Sequence, residues 1–176
     1  NPTHYDDVYL DALNSAFGNW GDVSQYEWVF KRKAVLHPPD QIIIKDEKDN
    51  LLAGSGLSYR QITLGEATVT VGIMTGSWTI PIARGKGCFT RIIDESLKLV
   101  QHHNFDYLIA FVTEDNASYH RLVAAGSHLV ESNYVFTPEK MPKIETSVKL
   151  EQIQKTSDIV LKIYHLHQQN PGTCHF

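Results

Sequence analysis

The chain is poor in the features that would mark an oxidising compartment, a membrane or a metal centre. Its two cysteines, Cys88 and Cys174, are too few for a disulfide framework and lack the paired spacing of a thiolate metal site. No apolar run approaches the roughly 20 residues of a membrane helix, so no membrane partner is expected. A cationic excess is also missing. The 16 Lys and Arg stand against 20 Asp and Glu, a net charge of −4. That argues against nucleic acid as a partner, because a phosphate-binding surface shows in the total. The start, NPTHYDDVY, has neither the basic nor the apolar stretch of a secretory signal. It also lacks an initiator Met, which leaves a trimmed start open. The cytoplasm is therefore the expected compartment. Nine histidines are many, but none sits in an HExxH or CxxC pattern. His102-His103 and His165/His167 read as surface residues, and no metal is expected.

What is present is a globular balance, 42% hydrophobic and 20% charged residues over 176 positions, enough for one domain with a sizeable core. Tyr5 to Phe17 carries a helical apolar stripe ended by Gly18. Ser24 and Glu27 read as a capping box for a second short helix with Tyr26, Val29 and Phe30, stopped at His37-Pro38-Pro39. Trp20 and Trp28 read as core residues. Three β-rich runs follow, Gln41–Lys45, Leu51–Ile62 and Ala67–Ile80, joined by short polar turns. They predict an antiparallel meander.

The stretch Ile80–Leu99 organises the rest. The third run stops at Pro81, passes through Arg84-Gly85-Lys86-Gly87, and enters an amphipathic helix with apolar residues at Phe89, Ile92, Ile93, Leu97 and Val100. Two glycines allow a tight turn and close approach of a ligand. The unpaired N–H groups of the helix's first turn, with its dipole, bind anions. A phosphate cradle is the expected outcome. The run Tyr107–Val112, YLIAFV, has no polar interruption and reads as a strand buried on both faces. A βαβ unit results, right-handed by default. Asp115 or Asn116 caps a short helix, Ala117–Ala125, closed by Gly126, and His128–Thr137 reads as a last strand. The fold class is thus α/β with a mixed sheet: an antiparallel meander, a central βαβ unit, and helices on both faces. Beyond Pro138, Val148–Ile153 reads as a strand and turn, and Ile159–His167 as a helix. The expected division is a domain over residues 1–138 and an extension over 139–176.

Arg84-Gly85-Lys86-Gly87-Cys88-Phe89, after a long strand and at the start of a helix, resembles the R/Q-x-x-G-x-G/A signature of the GNAT N-acetyltransferases. The order of elements from Tyr5 to Pro138 is similar to that family as well. The resemblance implies that the turn binds the pyrophosphate of acetyl-CoA, the co-substrate, through Arg84, Gly85, Lys86, Gly87, Cys88 and Phe89. It implies a strand that splays from its neighbour, with Ser77, Trp78 and Thr79 pairing to the pantetheine arm, and Asn116 near the cofactor's reactive end. Two positions depart from the pattern. Phe89 stands where Gly or Ala is usual and is expected to pack into the core. Leu122 stands where many members carry a Tyr that protonates the leaving thiolate; Tyr119, one turn earlier, is the candidate acid. The tail resembles the opening of a second acetyltransferase-type domain, as in tandem proteins of the enhanced-intracellular-survival type, with a simple C-terminal helix as the alternative.

Direct transfer of an acetyl group to a primary amine needs a polarised thioester, a deprotonated amine and a protonated thiolate. Backbone N–H groups near Trp78 are placed to polarise the carbonyl. Glu114, just past the buried strand, is the first candidate base, with His37 and Glu66 behind it; Asp22 and Trp20 fall where the acceptor pocket is expected. Cys88 is not expected to be a nucleophile, because no His lies near it in sequence. A P-loop nucleotidase is excluded, since Cys88 follows Gly87 where that loop requires Lys and then Ser or Thr. The expected activity is an acetyl-CoA-dependent N-acyltransferase. The alternative is a non-catalytic CoA-binding or interaction module of a larger tandem protein. The acceptor is expected to be a small-molecule or peptide amine. Net charge weakly favours a cationic one, and a homo-oligomer is left open.

Overall fold

The first helix, α1 (Asp6–Phe17), forms around two residues four apart, Tyr9 and Leu13, which are fully buried. A loop follows, held back onto α1 by Gly21 N–H donating to Asn14 Oδ1 at 2.9 Å. The second helix, α2, runs Val23–Phe30. Its cap is Asp22, whose carboxylate accepts from Gln25 N–H at 2.8 Å. The Ser24–Glu27 capping box is therefore replaced: a charged acceptor one residue before the helix meets both the open N–H groups and the dipole. The computed structural model describes residues 6–31, 36–64, 66–132, 165, 169 and 174–175. Among them no helix is long and apolar enough to cross a membrane.

The sheet is mixed α/β, as expected. Strands β1 (Asp40–Lys45), β2 (Leu51–Leu64) and β3 (Ala67–Thr79) form the antiparallel meander. The β1–β2 turn is built by Asp46, whose carboxylate accepts from Lys48 N–H, Asn50 N–H and the Asn50 amide, each at 2.9 Å. After β3 the chain makes a single 3-10 turn (Pro81–Ala83), then α3 (Cys88–His102), and returns as β4 (Tyr107–Ala110), parallel to β3. The order is β1-β2-β3-β4, and a two-residue β5 (Cys174–His175) pairs with Gln61 and Ile62 of β2. Helix α4 (Ala117–Ala124) is capped by Asn116 and followed by Gly126 at φ 86°.

Helices cover both faces. On one, Ile92, Ile93 and Val100 of α3 pack on Ala53, Leu57, Tyr59 and Met74. On the other, Tyr9, Leu13, Tyr26 and Phe30 of α1 and α2 pack with Trp78. Gly56 permits that second contact, because a Cβ there would lie 2.2 Å from the Phe30 ring.

Four expectations change. Leu97 is 40% exposed; the buried place on α3 belongs to Ser96, one residue earlier, which the apolar pattern could not single out. Trp28 is 63% exposed rather than core, whereas Trp20 is half-buried against Phe30. His103 is half-buried, not a surface residue. Finally, the run Tyr107–Val112, of which β4 is the first four residues, is not buried on both faces: Tyr107 is 59% and Phe111 72% exposed. It instead helps wall an open cleft, as the site geometry shows. Residues 128–132 are irregular, and the rest of the expected last strand, like the tail's expected strand and helix apart from His165 and Gln169, lies outside the described residues.

Candidate active site

The cleft arises from a difference in strand length. β4 pairs with β3 only from Val71 to Met74. β3 continues to Thr79, so the edge of Thr75–Thr79 that faces β4 has no strand partner among the described residues. Its N–H and C=O groups are open to an extended ligand. Opposite it, Ala110, Phe111 and Val112 form the far wall. At the point of divergence β3 carries a bulge. Gly54 pairs Trp78 and Gly56 pairs Thr75, so Gly76 and Ser77 together oppose Ser55. Gly76 takes φ 56°, a left-handed conformation suited to glycine. Ser77 Oγ lies 2.7 Å from Ser55 Oγ, which fixes the bulge from the sheet side.

The cradle closes one end of the cleft. Gly85 (φ 76°) and Gly87 (φ 80°) both sit in the left-handed region, and a Cβ on either would meet open space. Gly87 is the N-cap of α3 and offers no side chain to its first N–H groups. These donors are left for an anion. Arg84 Nε reaches back to Thr79 O at 3.4 Å, a long contact that leaves the guanidinium beside the turn. The Cys88 side chain is buried in the core, its Sγ 3.8 Å from Ala83 O, and contributes backbone only. Phe89 packs partly against the core, as its departure from the signature requires.

Asn116 stands on the α4 side. Its Oδ1 accepts from Ser118 N–H (3.0 Å) and from Ser118 Oγ (2.7 Å). Capping thus fixes the side chain, and Asn116 lines the cleft. Trp78 lines the cleft, while its buried indole sits edge-on to Tyr9 at 5.5 Å. Burial holds the Tyr9 phenol well above its ordinary range, offset in part by the neighbouring Trp78 indole, although neither Tyr9 Oη nor Trp78 Nε1 closes a hydrogen bond of normal geometry. The Trp78 side chain is therefore held by aromatic packing rather than by a hydrogen bond of its indole.

The whole cleft measures about 580 Å³, within the usual size of small-molecule sites. A second hollow of about 370 Å³ is walled by Trp28, Val29, Ser58, Arg60, Ile73 and Phe111. The two share Met74, Thr75, Gly76 and Phe111. They meet at the bulge.

Of the residues singled out from sequence, the structure brings Ser77, Trp78, Thr79, Arg84, Gly85, Gly87, Cys88, Phe89 and Asn116 to this one cleft. Lys86 is exposed beside the turn and does not line it. Glu114 is exposed in the loop after β4, and Tyr119 is half-buried beside His120 at 5.4 Å; neither is among the lining residues. Asp22 is spent on the α2 cap, and Glu66 is exposed at the β2–β3 turn. Sequence reasoning missed Ser118 and Arg121, which line the cleft from α4 at helical spacing with Leu122. It also missed Arg60, whose place in the second hollow depends on the β2–β3 register.

Several solved structures share this fold. A predicted acetyltransferase from Clostridium acetobutylicum with acetyl-CoA superposes with a TM-score of 0.63 at 12% identity, covering 78% of this chain and 92% of the other. An aminoglycoside 6'-N-acetyltransferase from Acinetobacter baumannii gives 0.63 at 17% identity, with 80% and 96% covered. A ribosomal-protein-alanine N-acetyltransferase from Brucella melitensis gives 0.57 at 16%, with 76% and 92% covered. The fold is that of the GNAT acetyltransferases. No family profile matches the sequence, and no curated protein does. At such identities the likeness speaks to the fold and leaves the chemistry to the site.

Proposed function

We propose that this chain transfers an acetyl group from acetyl-CoA to a primary amine by direct attack. One observation carries the reading: a cleft that joins an anion cradle to an unpaired strand edge meets a second hollow at the β3 bulge. A CoA pyrophosphate fits the donors of Gly85 to Phe89. A pantetheine arm fits the free edge of Ser77–Thr79, and the thioester then lies at Gly76, where an amine in the second hollow can reach it. The structure from Clostridium acetobutylicum is described with acetyl-CoA, which agrees with this assignment.

The Mechanism follows from the residues at that junction. Backbone N–H groups at the bulge polarise the thioester carbonyl and stabilise the tetrahedral oxyanion. Glu114 is the candidate base and, standing outside the lining, acts through a water. Tyr119 remains the candidate acid on the same terms, whereas Ser118 is the hydroxyl of α4 that lines the cleft and can hydrogen-bond the departing sulfur. Leu122, at the family's acid position, is buried and donates nothing.

The acceptor hollow adds a point about substrate. The aminoglycoside enzyme among the structural relatives acts on a polycation. Here Arg60, Arg84 and Arg121 line the two spaces, and no Asp or Glu among the described residues does. Trp28 and Phe111 supply broad apolar surface instead. The acceptor proposed is an amine on an apolar or aromatic body, with any anionic group toward Arg60, rather than the cationic one suggested by net charge.

Among the described residues that lining holds no Asp, Glu, His, Lys or Tyr side chain, which also favours a second reading, a non-catalytic CoA-binding module. Turnover separates them. Acetyl-CoA is mixed with arylalkyl amines, amino acids, peptides and aminoglycosides, and free thiol is followed. Thiol release with apolar-bodied amines supports the enzyme. CoA binding with no release on any amine supports the module.

A further inference from the structure

At the far end of α3 from the cradle, three chain segments bring two imidazoles and a carboxylate together. His37 lies just before β1, Asp40 opens β1, and His103 is the C-cap of α3. One ligand-capable atom from each lies within 4.8 Å of the others. His103 Nε2 is 3.3 Å and His37 Nδ1 is 3.9 Å from Asp40 Oδ2, and the two imidazole centroids are 3.9 Å apart. We propose that His37, Asp40 and His103 form a binding site for a divalent cation of the zinc type, tying the C-terminal end of α3 to the start of β1.

The spacing supports a metal better than a simple ion pair. A charge-assisted hydrogen bond closes to about 2.7–2.9 Å, shorter than either imidazole–carboxylate separation here. Ligands bound at about 2.0–2.1 Å in a tetrahedron stand roughly 3.3 Å apart, which His103 Nε2 and Asp40 Oδ2 already match. Two imidazole nitrogens and one carboxylate suit Zn(II) among the common cations, with the fourth position left to water.

The surroundings fit such a centre as well. Tyr59 Oη donates to Asp40 Oδ2 at 2.7 Å, the outer hydrogen bond that orients a ligating carboxylate. His37 Nδ1 lies 2.7 Å from Pro38 O; donating there selects the tautomer that presents Nε2. The Tyr59 ring meets both imidazoles edge-on at 5.2 Å, and Phe105 packs beneath at 4.8 Å from Tyr59, giving the polar group an apolar floor. Pro38 and Pro39 stiffen the approach of His37. The 15 residues of α3 separate this cluster from the cradle by about 22 Å, so the cation would brace the fold rather than touch the cleft.

The test is a titration of the metal-free full chain with Zn(II) by calorimetry, with Co(II) as the absorbing probe. One equivalent of each, a visible Co(II) ligand-field band and a melting temperature that rises with Zn(II) are expected. Tyr59→Phe weakens binding by roughly 10–100-fold, as loss of an outer-shell partner does, and His37→Ala and His103→Ala each weaken it further. His102→Ala, the exposed neighbour, leaves it unchanged. Absence of saturable binding to the folded wild type overturns the proposal without any variant. Zn(II) binding that survives both His37→Ala and His103→Ala overturns it too.

Discussion

Gly87 is the residue on which the proposed cofactor site turns. Its left-handed φ places the first N–H groups of α3 around an open space, and any side chain there enters that space. Gly87→Glu adds like charge beside a pyrophosphate, about 1–4 kcal/mol at close range depending on screening, with about 1–2 kcal/mol of backbone strain. Calorimetry should show CoA affinity down by tenfold or more, while thermal unfolding shows a folded protein. Unchanged affinity in that folded variant would place the pyrophosphate elsewhere. Glu114 is tested by a different split. Glu114→Gln should lower kcat by on the order of 10²-fold with little change in CoA binding, and a wild-type rate across pH removes Glu114 as base. These two residues also differ in how legible they were. Gly87 announces itself because glycine, basic neighbours and helix start are local in sequence. The base does not, because the side chain near a sulfur is set by how two strands diverge.

At the scale of elements, the β2–β3 pair determines both the core and the cleft. Gly56→Ala drives a Cβ into the Phe30 ring, and overpacking of this kind costs about 1–3 kcal/mol. Chemical denaturation should show a lower midpoint with an unchanged slope; an unchanged midpoint would mean that α2 is not seated on this face. The β3–β4 start is held by Asp106, whose Oδ2 accepts from Thr70 N–H at 2.7 Å and from Thr70 Oγ1 at 2.9 Å. The backbone bond first, then the hydroxyl, lowers its carboxyl pKa below the ordinary Asp value. A lowered folded-state pKa means stabilisation that is present above about pH 4 and is lost as pH falls through the folded value. Asp106→Asn should therefore flatten the fall of melting temperature below about pH 5, and an unaltered slope would show that the bond carries no such weight. The meander, the βαβ unit and the α4 cap at Asn116 were all legible, since each rests on period and turn chemistry within a few residues. The exposure of Trp28 and Phe111 was not, because an apolar residue reads alike whether it fills a core or walls a ligand space. Ser96 was missed for the opposite reason: a small polar residue was accepted where a helix approaches a sheet.

Across the whole molecule, the two ends of α3 carry different tasks. Its N-terminus presents donors to the cleft, and its C-terminus carries His103 beside Asp40 and His37. The glycine turn at the start of α3 was visible from sequence, while the second cluster joins residues 63 positions apart and exists only in the fold. Residues 139–176 are proposed as an extension to the acetyltransferase-like domain, and the pairing of Cys174 and His175 with β2 gives it a point of attachment. Acetyl-CoA is proposed to occupy the cleft between β3 and β4. A crystal structure of the full chain with CoA tests it most directly. Pyrophosphate oxygens are expected within hydrogen-bond distance of the amides from Gly85 to Phe89, and pantetheine paired along Ser77–Thr79 with the sulfur at the β3 bulge. CoA bound at any other surface, or a cleft that stays empty at saturating CoA, would contradict this placement.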